Sequence, residues 1–140
     1  MTIETEIAKG NAQNIKPTSL ADHDDILRGA RYYTDAIQTG DMKHFHEGFH
    51  PEATMYGWLE GSFRAGSAQQ LYDIAQEHGP TPGFNSRFTI VTSTPTTAIV
   101  EVDTEYQGEG YRDHLILCKV GEGQWQTVTK IFHVYDSIRS

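Results

Sequence analysis

The chain has 140 residues, a mass of 15.7 kDa and a formal net charge of −8, with 11 basic and 19 acidic residues. This length fits one domain with a single core, and the acidic balance argues against nucleic acid or an anionic membrane as partner. No apolar stretch approaches the roughly 20 residues of a membrane helix, and no secretory signal is visible. The single thiol, Cys118, has no partner for an internal disulfide, so we expect a cytoplasmic protein.

The first half of the chain predicts an arm followed by helices. Residues 1–17 are polar and interrupted by Gly and Pro, which predicts a flexible N-terminal arm before a domain of residues 18–140. Apolar residues then recur at helical spacing between capping and terminating residues. The three predicted helices begin at Ser19, Asp41 and Ser67 and end at Gly40, Pro51 and Gly79.

Strand patterns fill the rest of the domain. Residues 54–59 and 62–65 predict a hairpin around Glu60-Gly61, and four longer strands follow, at 86–93, 97–107, 110–120 and 124–136. Helices followed by an antiparallel meander indicate an α+β fold and not alternating βαβ units. A parallel nucleotide-binding sheet is therefore disfavoured.

Turn lengths in the second half predict which side chains share a sheet face. We expect Val120 to pair with Gln124, and Tyr106 with Tyr111. The core face then holds Val100, Val102, Leu115, Leu117, Trp125 and Ile131, and the outer face holds Glu101, Asp103, Arg112, His114, Lys130 and Phe132. The charged outer face is predicted to meet solvent or a second subunit.

The same alternation directs Asp113 towards the core. An unpaired buried carboxylate would cost several kcal/mol, so this side chain must be hydrogen-bonded, face a cavity or be protonated. Its predicted neighbours are Thr104, Tyr106, Tyr111, Thr129 and His133. Such a polar cluster at one end of an apolar face is typical of a pocket mouth, and the alternative is an internal network that binds no ligand.

Two further groups have alternative interpretations. His133 lies diagonal to Asp113 in the predicted register, so it is either a general base paired with that carboxyl or a strand-end histidine bonded to the backbone. Tyr56 and Trp58 share one face of their strand, where they either line the pocket or pack in the core.

No metal or cofactor is expected. His44, His46 and His50 are close in sequence, but no Cys, Asp or Glu completes a zinc motif, and a solvated helix end is the better interpretation. Gly108-Glu109-Gly110 precedes a strand and not a helix, so it does not predict a phosphate loop.

Several short motifs occur in a characteristic order: AIQTGD at 36–41, FHPEA at 49–53, Gly57-Trp58, YRDHLIL at 111–117 and KIFH at 130–133. Together they resemble the nuclear transport factor 2-like superfamily, and within it the bacterial putative lumazine-binding group. The resemblance covers about residues 22–136. It implies a cone-shaped α+β domain in which a curved antiparallel sheet wraps around three helices, with a pocket between them and a homodimer formed through the outer sheet face.

Ketosteroid isomerases share this scaffold, and the resemblance implies roles for three positions. Their oxyanion-binding tyrosine matches Tyr33 and their protonated aspartic acid matches Asp113, whereas the position of their general base is occupied by Gly57. Steroid isomerisation is therefore not expected. A tyrosine and a neutral aspartic acid could still bind a carbonyl or enolate oxygen, as they do in that enzyme.

We therefore predict a protein that binds a small cyclic or carbonyl-containing organic molecule, with isomerase, dehydratase or hydrolase chemistry. Tyr33 and Asp113 would donate to an oxygen and His133 would move a proton. The predicted ligand-binding residues are Tyr56, Trp58, Tyr106, Tyr111 and Thr129. The alternative is a non-catalytic dimeric binding module in which the polar cluster is structural.

Overall fold

The computed structural model describes residues 19–135, so the predicted arm at 1–17 and residue 136 of the last predicted strand lie outside it. Its helices are α1 (Leu20–Thr39), α2 (Lys43–Gly48) and α3 (Gln69–His78). Its strands are β1 (Phe49–Leu59), β2 (Ser62–Ser67), β3 (Asn85–Ser93), β4 (Thr97–Glu105), β5 (Gly110–Gly121) and β6 (Gln124–Tyr135). No helix in this part of the chain is long and apolar enough to cross a membrane.

The predicted ends of α1 are confirmed by their capping contacts. The Ser19 hydroxyl accepts a hydrogen bond from the backbone N–H of Asp22 at 3.1 Å. At the other end Gly40 has φ 73°, and its N–H donates to the carbonyl of Ala36 at 2.8 Å. Because both ends are fixed locally, the sequence alone was enough to place this helix.

The second helix ends earlier than predicted. The chain is already extended at Phe49, where β1 begins, and Pro51 lies inside the strand instead of after the helix. The β1–β6 pairing is irregular between Phe49 and Thr54. Pro51, which has no backbone N–H, therefore falls where the ladder is interrupted.

The six strands form one sheet in the order β2-β1-β6-β5-β4-β3. Four of the five pairings are antiparallel, while β1 and β6 run parallel, so the sheet is mixed instead of wholly antiparallel. No hairpin links β1 to β6, and nothing local forces them to be antiparallel. The expected α+β cone fold is confirmed, with α1 contributing Ile26, Ala30 and Tyr33 to the core.

The β4–β5 hairpin keeps the predicted faces although its register differs. Gln107 and Gly108 both have positive φ, 52° and 82°, and form a two-residue turn. As a result Val102 pairs with Asp113, two residues away from the expected partner Thr104. Because a shift of two preserves side-chain alternation, Asp113 still points inwards.

The β5–β6 pairing departs from the prediction at a β-bulge. Leu117 pairs with Thr127 as expected, but the preceding residue Ile116 pairs with Thr129, which leaves Val128 as an extra residue in β6. Beyond this point every side chain of β6 faces the opposite way from the prediction. Ile131 is therefore 45% exposed and outside the core, while Phe132 and Lys130, both predicted outside, are buried.

Candidate functional site

A cavity of about 490 Å³ lies between α1, α3, the β4–β5 hairpin and the inner side of β1 and β6. Its deep wall is buried and mainly apolar, formed by Met55, Leu71 and Phe132 together with Tyr33 and Lys130. The exposed lining residues mark its mouth: Ile74 and His78 on α3, and Gln107, Glu109 and Tyr111 at the hairpin. A volume of this size suits a small organic molecule.

Two polar side chains, Tyr33 and Lys130, line the inner end of this cavity, and Asp113 lies behind them, beside Lys130. Asp113 on β5 is fully buried, and the Nζ atom of Lys130 lies 3.6 Å from its Oδ1 atom. The Lys130 side chain is only 6% exposed. Tyr33, buried on α1, completes the group, which we call the Tyr-Asp-Lys cluster (Tyr33, Asp113 and Lys130).

The Asp113 carboxyl lacks the hydrogen bonds that normally accompany a buried charge. Neither of its oxygens has a hydrogen-bond partner among residues 19–135. Burial raises its pKa. The positive charge of Lys130 and the hydroxyl of Tyr33 lower the pKa, because both groups lie near the carboxyl, although neither has hydrogen-bond geometry to it. The net direction is upward, which favours the protonated form more than in an exposed aspartate.

The Lys130 amine lies in an environment that disfavours its charge. Its Nζ atom is 4.2 Å from the ring centroid of Phe132 and 5.4 Å from that of Tyr33. Burial lowers the pKa of Lys130, and the nearby Asp113 carboxyl offsets part of that effect. When its pKa is lowered, a larger fraction of a lysine amine is neutral near pH 7, and only the neutral amine can accept a proton or attack a carbonyl carbon.

The phenol of Tyr33 remains protonated at neutral pH. Burial and the negative charge of Asp113 raise its pKa well above the usual value of 10.0. Tyr111, nearer the mouth, has its pKa raised by burial and by Asp113 as well. The cavity thus combines a phenol donor with an amine and a carboxyl that can exchange one proton.

Several predicted site residues lie elsewhere. The assignment of His133 to the inner face is wrong, because the bulge at Val128 turns it outwards. There it is exposed, pairs with Arg112 in the ladder and contacts Tyr135 edge to face, with ring centroids 4.9 Å apart. It cannot act on a ligand beside Asp113.

Tyr56 and Trp58 were expected to line the pocket, and this placement is wrong. They are 39% and 60% exposed on the outer side of β1, where Trp58 packs against Phe63. The intervening Gly57 faces inwards against Phe132, whose ring and backbone oxygen fill the space a side chain would need. The space beside Gly57 is therefore occupied by Phe132 and not available to a ligand.

The other expected contacts divide between cavity and sheet. Tyr106 and Tyr111 do line the cavity, on either side of the β4–β5 turn. Thr129 does not; its hydroxyl is 2.7 Å from that of Thr54 across the β1–β6 pair. Lys130 was missed because strict alternation from Trp125 assigns it to the outer face, and only the bulge reverses that assignment.

The histidines near α2 do not converge. His44 stacks on Tyr32, and His46 contacts Tyr72 edge to face. The His50 ring accepts a hydrogen bond from the backbone N–H of Glu52. Within residues 19–135, no group of three or more His, Cys, Asp or Glu side chains is placed to hold a metal ion.

Comparison with known proteins agrees with this architecture. The model of the family described as "Putative lumazine-binding" matches residues 21–133. The chain belongs to this family. It is also 34% identical over 122 residues to "Aldolase FrzH" of Cladobotryum sp., an alignment that covers 86% of this chain and 97% of that protein.

Solved structures give the same fold. A nuclear transport factor 2-like protein of unknown function from Methylobacillus flagellatus KT superposes with a TM-score of 0.77 and 28% identity, over 85% of this chain and 96% of that one. Another nuclear transport factor 2-like protein of unknown function, from Shewanella baltica OS155, gives a TM-score of 0.72 and 26% identity, over 87% of this chain and 100% of that one. A ketosteroid isomerase-like protein from Erwinia carotovora atroseptica SCRI1043 is similar in fold alone. Its TM-score is 0.63 and its sequence identity 17%, over 81% of this chain and 95% of that one. The chain is therefore a nuclear transport factor 2-like protein, and this family and the cavity support a small-molecule-binding or enzymatic role.

Proposed function

We propose that the cavity binds a small carbonyl compound and that the Tyr-Asp-Lys cluster moves a proton at the carbon next to the carbonyl group. The observation that carries this proposal is the Lys130 amine, which lines the inner end of a cavity of about 490 Å³ and lies 3.6 Å from the fully buried carboxyl of Asp113. The name of the relative from Cladobotryum supports it, since aldol reactions pass through an enolate or an enamine, formed by loss of such a proton.

Each member of the cluster has a distinct part. The Tyr33 hydroxyl, kept protonated by its raised pKa, donates a hydrogen bond to the carbonyl oxygen. Asp113 and Lys130 together hold one exchangeable proton and provide the base that removes a proton from carbon. Tyr106 and Tyr111 contact the ligand at the hairpin side of the cavity.

Exchange of carbon-bound hydrogen in deuterated water tests this function without knowledge of the natural substrate. Cyclohexanone is the probe, and loss of its α-proton signal is followed by NMR. We expect the wild-type protein to accelerate exchange, and Asp113→Asn and Tyr33→Phe to reduce the acceleration by about 10²-fold or more, as for loss of an acid–base or oxyanion group. The matched control is His133→Asn, which changes a titratable side chain on the opposite face of the sheet.

Circular dichroism of each variant shows whether it is folded. If folded Asp113→Asn exchanges the probe as fast as the wild type, the proposal is wrong. The polar cluster would then be structural, and the non-catalytic binding module would be the better description.

We further propose a homodimer formed through the outer sheet face, on an aromatic patch and not on the charged residues first expected. The patch (Tyr56, Trp58, Phe63 and Ile131) crosses β2, β1 and β6, and its members are 39–60% exposed. The charged residues instead pair within their own sheet, as Arg112 does with Asp103 at 2.7 Å. Light scattering tests this: Trp58→Glu should halve the particle mass, and an unchanged dimer or a monomeric wild type would refute it.

The cytoplasmic location stays a prediction from Cys118.

A further inference from the structure

We propose that Lys130 forms a covalent imine with the carbonyl carbon of the ligand, which makes this a site for amine-catalysed carbonyl chemistry. The inference rests on the proposed function and deepens it, because it assigns the ligand an aldehyde or ketone group that reacts with the protein instead of only being held by it.

The position of the amine is the first support for this inference. Lys130 Nζ lies at the cavity wall among aromatic rings, 4.2 Å from the centre of Phe132 and 5.4 Å from that of Tyr33. The other charged group facing it is Asp113, with its Oδ1 atom at 3.6 Å. A carbonyl compound in the cavity would meet this amine before any other nucleophile of the deep wall, which is otherwise formed by Met55, Leu71 and Phe132 with Tyr33.

The looseness of the ion pair is the second support. A lysine retained for rigidity in a core normally makes short charge-assisted hydrogen bonds of about 2.7–2.9 Å. Here the contact is 3.6 Å and both Asp113 oxygens lack hydrogen-bond partners among the described residues. The Lys130 amine therefore loses no short hydrogen bond to Asp113 when its nitrogen forms a bond to carbon.

The reaction balances with the groups present. The neutral amine attacks the carbonyl carbon, a C–N bond forms, and the π electrons of the C=O bond move to the oxygen, which takes a proton from the Tyr33–Asp113 side of the site. The positively charged nitrogen then loses one of its two protons to the Asp113 carboxylate, and Asp113 passes this proton to the hydroxyl group. The hydroxyl leaves as water while the nitrogen lone pair forms the C=N bond of the iminium. In sum, the ammonium and the carbonyl compound give the iminium and water.

The charge pattern of the site is unchanged by this reaction. The iminium carries the same positive charge as the ammonium of Lys130, so the Asp113 carboxylate keeps its partner. With this pairing kept, we assign to Asp113, acting next to the modified Lys130, the removal of a proton from the carbon next to the iminium, which yields an enamine. An enamine is the nucleophile of an aldol-type reaction.

The experiment uses pentane-2,4-dione as the probe. A 1,3-diketone condenses with a reactive lysine to a stable conjugated enaminone, which is detected by near-UV absorbance and by a mass gain equal to the diketone less one water. Peptide mapping then identifies the modified residue. The full chain contains other lysines, among them Lys119, whose side chain is 12% exposed and lies 4.0 Å from Asp22.

We expect the adduct to form faster at Lys130 than at Lys119, because burial lowers the pKa of Lys130 and so raises its reactive neutral fraction, and because only Lys130 lines the cavity. Lys119→Met should keep the adduct and Lys130→Met should lose it. An independent measurement needs no variant: cyclohexanone with sodium cyanoborohydride should N-alkylate Lys130 of the wild-type protein. Adducts confined to other amines, or no adduct, would overturn the inference.

The two proposals fail in different ways. Exchange of cyclohexanone protons without any Lys130 adduct would retain the proposed function and reject the imine. Absence of both exchange and adduct would reject both. An adduct at Lys130 that persists in Asp113→Asn while exchange is lost would support the imine and assign proton removal to Asp113.

Discussion

Replacing Lys130 by methionine isolates the electrostatics of the cluster. Methionine keeps most of the apolar stem of the lysine and leaves the fully buried Asp113 without the amine that lies 3.6 Å from it. Removing one member of a buried ion pair typically costs about 3–5 kcal/mol of unfolding free energy. We expect a loss of that size at pH 7.

The pH dependence follows from the direction of the Asp113 pKa. Burial raises it above the unfolded value of 3.8, and loss of Lys130 removes the largest opposing influence. Between the unfolded and folded pKa values the folded state binds more protons than the unfolded state, so stability falls as pH rises, by at most about 1.36 kcal/mol per pH unit. From pH 5 to pH 7 the variant should lose up to about 2.7 kcal/mol.

The assay is urea unfolding at pH 5, 6 and 7, followed by tryptophan fluorescence. The reference is the double variant Asp113→Asn/Lys130→Met, which lacks both charges and should not show this slope. Lys119→Met is the matched control, because that lysine faces Asp22 at 4.0 Å without a fully buried partner, and it should cost under about 1 kcal/mol at every pH. Identical pH profiles for Lys130→Met and the double variant would refute the reasoning.

Three further predictions address the surrounding structure. Gly57→Ala should destabilise the fold by about 1–3 kcal/mol in urea unfolding, because its Cβ would collide with the backbone oxygen of Phe132 and lie 2.7 Å from its ring; an unchanged midpoint would mean that this approach is not tight. His133→Asn should leave cyclohexanone exchange within about two-fold of wild type, below the 10²-fold effect of losing an acid–base group, and a larger loss would return His133 to the site. Arg112→Gln should raise the pKa of Asp103 towards 3.8, since their 2.7 Å hydrogen bond lowers it; an NMR titration with no change would contradict that cause.

Local signals were sufficient for the bounds of α1 and for the inward direction of Asp113. Ser19 and Gly40 mark α1 because their contacts lie within four residues along the chain. Asp113 was placed correctly although its predicted partner was wrong, since the β4–β5 register shifted by an even number of residues. Tyr33 followed from the helical period and from the family resemblance, and it is buried beside Asp113.

The residues that the sequence misplaced lie on β6 and β1, where hydropathy does not decide between faces. In β6 one alternation offers Lys130, Phe132 and Val134, and the other offers Ile131, His133 and Tyr135. Each contains two large apolar or aromatic residues and one basic residue. Choosing between them requires the bulge, and the bulge depends on pairing with both β5 and β1.

On β1 the error has a different cause. Tyr56 and Trp58 were expected inside because large aromatic residues are usually buried. The inner face instead presents Met55 and Gly57, and the bulk that fills the interior comes from Phe132 on the neighbouring strand. A small residue on one strand and a large one on its neighbour are complementary only in the three-dimensional register, which the sequence of β1 alone does not contain.

The bulge at Val128 therefore decides the chemistry of the cavity. With strict alternation Asp113 would face Ile131, and Lys130 would be in solvent; with one extra residue the amine lies 3.6 Å from the carboxyl and Phe132 packs over it. Burying both groups is costly, and apolar replacements of a buried ion pair are often as stable or more so. A contribution to stability therefore explains this buried pair poorly. A chemical role for Lys130 explains it better, because its loosely paired amine lines a cavity.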